Sequence, residues 1–139
     1  MTWLGWALLS ALFAAATAIL AKLGVAGVDS NFATAIRTTV VVLFAWLIVL
    51  LTRTESSFHV PSSRTWLFLF LSGLATGLSW LCYFRALQLG PASRVAPIDK
   101  LSVALVIAAS AIFLHERLTW GKAIGGMLIV AGAIVVALD

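Results

Sequence analysis

Five apolar stretches, each near the roughly 20 residues that a helix needs to cross a hydrocarbon core, fill almost the whole of this 139-residue chain. No other feature limits the fold so strongly. Hydrophobic residues make up 63% of the sequence and charged ones 10%, against roughly 45–50% and 25% in soluble domains. The runs are near continuous and leave no polar face for water, which excludes a soluble domain and predicts an all-α integral membrane protein with five transmembrane helices. The formal charge of +4 comes from nine basic residues scattered singly through the chain. A nucleic-acid footprint requires them clustered, so they read as topology signals and lipid headgroup contacts, and no nucleic-acid partner is expected. The single cysteine, Cys82, rules out an intrachain disulfide, and its expected role is that of a small buried apolar side chain.

The helices are expected near residues 3–21, 32–52, 66–89, 93–114 and 118–138, forming a single transmembrane domain over residues 1–139. Lys22 closes the first, and Gly24, Gly27, Asp29, Ser30 and Asn31 form the following loop. A polar linker, Arg53 to Arg64, separates the second from the third. Gly90 and Pro91 then stop the third helix, the glycine just past the last turn and the proline unable to continue it. The first segment carries no basic residue on its N-terminal side, unlike a signal peptide, and is read as a retained helix. Trp3, Trp6, Trp66 and Trp120 fall near segment ends, where indole rings settle among headgroups. Trp46 and Trp80 lie deeper, where they either pack between helices or face a cavity, and packing is the expected role.

An odd number of spans places the termini on opposite faces of the bilayer, and Lys and Arg in short loops set the orientation. Arg53, Arg64, Arg117 and Lys122 fall on one side and Lys22, Arg37, Arg85, Arg94 and Lys100 on the other, four against five. Counting Arg37 and Lys100 as membrane-embedded makes it four against three. So small a bias is compatible with insertion in both orientations and pairing of inverted copies, the alternative being a fixed orientation.

Without a hydrophobic drive in lipid, helices associate where small residues let backbones approach. Gly121, Gly125, Gly126 and Gly132 mark the fifth segment as a packing helix, with Gly121 and Gly125 at the four-residue spacing that aligns them on one face and Gly121, Gly125 and Gly132 the chief candidates. Ser72, Thr76, Ser79 and Tyr83 recur at spacings of four, three and four and share one stripe of the third helix. That polar seam serves either interhelical hydrogen bonding or a substrate cavity. Ionisable groups inside a membrane are costly and usually face a cavity or a partner, which singles out Asp99, Lys100 and Arg37. The 14 residues from Leu101 to Leu114 span about 21 Å, short of a core about 30 Å thick, so the start of the fourth helix with Pro97, Asp99 and Lys100 is either drawn into the membrane or set at its interface, and Arg37 faces the same choice. Adjacent helical residues point about 100° apart, so Asp99 and Lys100 do not both aim into one cavity, and at least one is expected to snorkel or pair elsewhere. Arg85, opposite the seam, reads as an interfacial anchor. No HExxH, paired-cysteine or nucleophile-elbow pattern occurs, and His59 and His115 lack metal-ligand spacing. No catalytic residue, metal site or cofactor is expected.

The stretch from Tyr83 to Leu138, YFRALQLGPASRVAPIDKLSVALVIAASAIFLHERLTWGKAIGGMLIVAGAIVVAL, resembles the C-terminal part of an EamA-type domain of the drug/metabolite transporter superfamily. The shared phrases are AL-x-x-G-x-AS, FLxERL and G-x-LI-x-x-G, in that order. Trp6 to Lys22, with a basic residue closing the first helix, and Arg37 entering the second are similar too, so the resemblance covers essentially the full chain. Most such proteins resemble two inverted five-helix units, and this sequence resembles the short, single-unit branch. The resemblance implies an inner-membrane secondary transporter of small amphipathic metabolites, amino-acid-like or related, working by alternating access. Inverted repeats place a site near the midplane at their interface, so an antiparallel homodimer is the expected partner arrangement. It also implies a structural loop role for Glu116 and Arg117. Asp99 and Lys100 depart from the phrase usual there, and Asp99 is a candidate for proton coupling. A small multidrug or cation exporter and a non-transporting membrane assembly subunit are the alternatives.

Overall fold

The computed structural model describes residues 2–52 and 62–138. Most of the linker expected at 53–64 therefore lies outside the described residues. Every regular element among them is an α-helix: α1, Trp3–Gly24; α2, Ser30–Leu51; α3, Ser63–Leu89; α4, Ala92–Asp99; α5, Leu101–Phe113; and α6, Trp120–Leu138. Five stretches are long and apolar enough to cross a membrane, with α4 and α5 together making the fourth. This is an all-helical protein with five membrane-spanning helices.

Contacts group the chain into two units, Met1–Leu23 with Leu89–Asp139, and Gly24–Gln88. In the first, α6 packs against both α4 and α5. At Gly126 a Cβ would stand 3.2 Å from Ile107 Cδ1. Ala18 and Ala133 are buried in the same unit, as expected where small residues let helices come together. Lys22 Nζ donates to the Gly90 carbonyl at 2.8 Å, so the residue closing α1 also satisfies a carbonyl just past the end of α3.

Gly121, Gly125 and Gly132 have no such neighbour. The nearest atom to a Cβ at Gly121 is Thr119 Oγ1 at 4.0 Å, and nothing lies within 4 Å at Gly125 or Gly132. About 100° per residue places these three on one stripe, turned well away from Gly126. Among the described residues, the glycine that packs inside the chain is Gly126.

The second unit is built around α2 and α3. Gly27 takes a φ of +75°, a left-handed conformation that only glycine adopts at no steric cost. The turn it makes delivers Asp29 to the α2 N-cap, where its carboxylate accepts from the backbone N–H groups of Asn31 and Phe32, each at 3.0 Å. This capping starts the helix at Ser30, two residues earlier than expected. Phe84 and Leu87 of α3 are buried, and Gln88 Nε2 donates to the Val28 carbonyl. The hydroxyls of Thr34, Thr38 and Thr39 each donate to a carbonyl four residues back, so they are satisfied within their own helix in the manner open to Ser and Thr.

The fourth span is not one continuous helix. It breaks at Lys100, where the backbone tightens to three-residue hydrogen bonds, Lys100 N–H to the Pro97 carbonyl at 3.0 Å and Val103 N–H to the Lys100 carbonyl at 3.0 Å. Pro97 lies inside α4, where its ring removes a donor and crowds the preceding turn, and the break falls three residues after it. The end of α5 is closed by His115 at φ +53° and a 3.2 Å bond from Glu116 N–H to the Ser110 carbonyl.

No more than 11% of any span's most apolar stretch is buried within the protein. Trp46, expected to pack between helices, is 61% exposed, and Cys82 is exposed as well. Both corrections have one cause, since side chains on these long helices project outward from a chain with little interior. In water this surface would be untenable; in lipid it is the normal exterior.

Candidate functional site

In the unit Gly24–Gln88, α2 and α3 bring Arg37 onto aromatic rings. The guanidinium carbon lies 4.1 Å from the Trp80 ring centroid and 5.6 Å from that of Phe84. Trp80 and Phe84 are one helical turn apart and therefore share a face. Both distances are within the range of a cation–π contact, worth about 2 kcal/mol when desolvated. Tyr83, between them in sequence, is half-buried and interacts electrostatically with Arg37. Sequence reasoning singled out Arg37 and Tyr83 and took packing as the expected role of Trp80, with a cavity as the alternative. The signal that would have found it is the i, i+4 pair of aromatic residues on the helix carrying the polar seam.

The rest of the seam is open. Ser72, Thr76 and Ser79 are exposed on α3, and Thr76 Oγ1 donates to the Ser72 carbonyl of its own helix at 2.9 Å. No second helix covers these hydroxyls within the unit. Arg85 donates to Gln88 Oε1 at 2.9 Å, and Gln88 passes the connection on to Val28, which ties this arginine to the helix end instead of the seam.

In the other unit, Asp99 and Lys100 pair with each other, Lys100 Nζ standing 3.3 Å from Asp99 Oδ2. This corrects the expectation that at least one would snorkel or pair elsewhere. That expectation assumed a regular helix, in which neighbours diverge. The break at Lys100 removes the constraint. It also places Lys100 at the C-terminal end of α4 and Asp99 beside the N-terminus of α5, each at the helix end whose partial charge favours it. With exposures of 56% for Lys100 and 37% for Asp99, the pair is open on one side.

An apolar groove of about 470 Å³ runs between α5 and α6, bordered by Ala104, Ile107, Gly126 and Val130, with Lys122 at one end. The Lys122 ammonium is held 3.1 Å from Glu116 Oε2, which gives Glu116 a structural role where the chain enters α6. Among the described residues no group of three or more His, Cys, Asp or Glu side chains could hold a metal ion.

The model of the EamA-like transporter family matches residues 1–138. An uncharacterized transporter in the cobO 3'region of a Sinorhizobium species is 52% identical over 138 residues, covering 99% of this chain and 97% of that one. A probable 4-amino-4-deoxy-L-arabinose-phosphoundecaprenol flippase subunit, ArnF of Erwinia tasmaniensis, is 40% identical over 83 residues, 58% of this chain and 62% of its own. The uncharacterized transporter YvbV of Bacillus subtilis is 34% identical over 109 residues, which span 78% of this chain but 36% of YvbV. No solved structure matches the chain.

Proposed function

The chain belongs to the EamA-like transporter family, and on that premise we propose that it is a secondary transporter of small amphipathic metabolites in the inner membrane, working by alternating access as an antiparallel homodimer. The observation that carries this reading is the interrupted fourth span, with the Asp99–Lys100 pair at its break. Discontinuous helices are where transporters expose backbone and charge to a solute inside the membrane, and a paired but half-open Asp–Lys couple can exchange its partner for a substrate without leaving either charge bare. Ser72, Thr76, Ser79 and Tyr83 supply hydroxyls and Arg37 a cation for the cavity. Pairing of two copies is supported by the uncovered stripe of Gly121, Gly125 and Gly132.

The same charges argue against a cation exporter. Asp99 is the one carboxylate within the described helices, and Lys100 already neutralises it. A second reading has a specific observation behind it: similarity to a probable flippase subunit favours a role as one subunit of a membrane assembly. Purified chain reconstituted alone into vesicles separates the two. Solute-specific uptake or efflux is expected for the transporter, and vesicles that move nothing until a second protein is added would leave the subunit reading. Proton coupling through Asp99 predicts that Asp99→Asn loses the dependence of transport on a pH gradient; a variant retaining that dependence in full removes Asp99 from the role.

A further inference from the structure

We propose that Arg37, held by Trp80 and Phe84, is an anion-binding site, so that the solute carries a carboxylate or phosphate group; this rests on the transporter reading above and names its substrate class. Arg37 lies seven residues into α2, about 10 Å along the helix at about 1.5 Å per residue, inside an apolar span. A cation at that depth ordinarily snorkels toward the nearer headgroups. Here the ring nearest the guanidinium is Trp80, which is one turn farther than Phe84 from the α3 end that meets Val28. The head group is therefore directed inward and held there.

The rings compensate the charge but not the donors. A guanidinium carries five N–H groups in a planar fork, and aromatic faces engage its delocalised charge without filling that fork. Tyr83 is a polar side chain that interacts with Arg37 electrostatically, and one phenol oxygen cannot fill a fork of five donors. Asp29, the one carboxylate among the described residues of this unit, is occupied in capping α2. A half-buried guanidinium held against two rings, with donors of its fork left over, is complementary to a planar carboxylate or a phosphate, which accept two parallel N–H bonds. Stacking on an indole also fixes the side chain before the anion arrives, so little rotamer entropy remains to be lost on binding. The anion has two sources, a soluble metabolite or a lipid phosphate, and the chemistry at Arg37 is common to both.

The test uses the full chain, isotopically labelled, in maltoside micelles, which contain no phosphate. The Arg37 Nε–Hε resonance is identified by its loss in Arg37→Lys. Acetate, inorganic phosphate and phosphatidylglycerol are then titrated separately. A saturable shift of this resonance with acetate or phosphate is expected and assigns a soluble anion. A shift with phosphatidylglycerol alone also supports the site and assigns its source to lipid. Trp80→Leu should weaken the response at least tenfold, and Trp80→Phe, which keeps a ring, by no more than a few-fold, with helix content by circular dichroism confirming that each variant folds. No saturable shift with any of the three overturns the proposal. Vesicle transport separates this from the broader reading. A chain that binds anions at Arg37 and moves no solute keeps the site and removes the transporter role. A chain that moves only solutes without a carboxylate or phosphate group, with the Arg37 resonance unchanged by every anion, does the reverse.

Discussion

Two adjacent glycines of α6 should respond to the same substitution in opposite assays. At Gly126 an added Cβ meets Ile107 Cδ1 at 3.2 Å, tighter than ordinary contact by a few tenths of an ångström. Ala there is near neutral, because the end of a flexible isoleucine can yield and alanine in a helix gains about 0.5–1 kcal/mol over glycine. Val adds two more methyl groups in the same space, and overpacking of this kind costs about 1–3 kcal/mol. A loss of about 2 kcal/mol shrinks the folded-to-unfolded ratio of the monomer by roughly 30-fold. At Gly125 nothing lies within 4 Å of the added Cβ, so Gly125→Val leaves the monomer's stability within about 0.5 kcal/mol of the parent. Its effect should fall on self-association, since a branched side chain on the Gly121–Gly125–Gly132 stripe holds apart backbones that small residues allow to touch. Equilibrium unfolding in dilute mixed micelles, followed by circular dichroism, measures the first quantity. Energy transfer between copies labelled at the single, exposed Cys82 measures the second. Equal monomer destabilisation by the two valines, or undiminished energy transfer in Gly125→Val, would refute the division of α6 into an internal and an external face.

Three further outcomes are expected. A double-mutant cycle of Arg37→Met with Trp80→Leu should give a coupling of about 1–2 kcal/mol; additive losses in chemical unfolding would mean that the stack contributes nothing. Because His115 holds a φ of +53°, His115→Val should lower stability by about 1–2 kcal/mol while His115→Gly stays within about 1 kcal/mol of the parent, a ranking that thermal unfolding of the two variants checks. Asp99→Asn should cost under about 1 kcal/mol in unfolding, as expected of a partly exposed pair, so any larger fall in vesicle transport reflects the loss of a working group and not of the fold.

The spans were legible because lipid imposes a crude rule, length and apolarity, that continuous runs such as Phe32 to Leu51 satisfy at sight. Gly90 and Pro91 marked a stop in the same local way, and α3 ends at Leu89. Asp29 was a missed local signal: a capping carboxylate read as a loop residue placed the start of α2 two residues late. The break at Lys100 was beyond such reading, since Pro97 announces a disturbance but not where the backbone will absorb it, and the Asp99–Lys100 pair depends on that break. Arg37 on Trp80 is a contact between helices 43 positions apart in sequence. Periodicity along either helix alone does not reveal it. Gly126 was hidden for another reason, because four-residue spacing identifies a stripe of small residues without saying whether it faces this chain or another.

The placement of Arg37 and Lys100 bears on orientation as well. Arg37 is engaged by rings about 10 Å into α2, and Lys100 stands eight residues into the fourth span, about 12 Å from Ala92. Neither acts as a short-loop charge of the kind that the translocation machinery weighs. The remaining count is Arg53, Arg64, Arg117 and Lys122 against Lys22, Arg85 and Arg94, four to three. An excess of one predicts a population inserted both ways, as an antiparallel pair requires, and a reporter fused to the C-terminus should then appear on both faces of the membrane. Ala26→Lys with Asn31→Lys adds one charge to the loop between α1 and α2 and one to the first turn of α2, and reverses the count to four against five. That loop shares a side with the C-terminus, so the reporter should shift to the cytoplasmic face. A reporter confined to one face in the parent and unmoved by both lysines would mean that orientation is set by something other than these charges, and that the pairing of inverted copies has no supply of inverted copies to draw on.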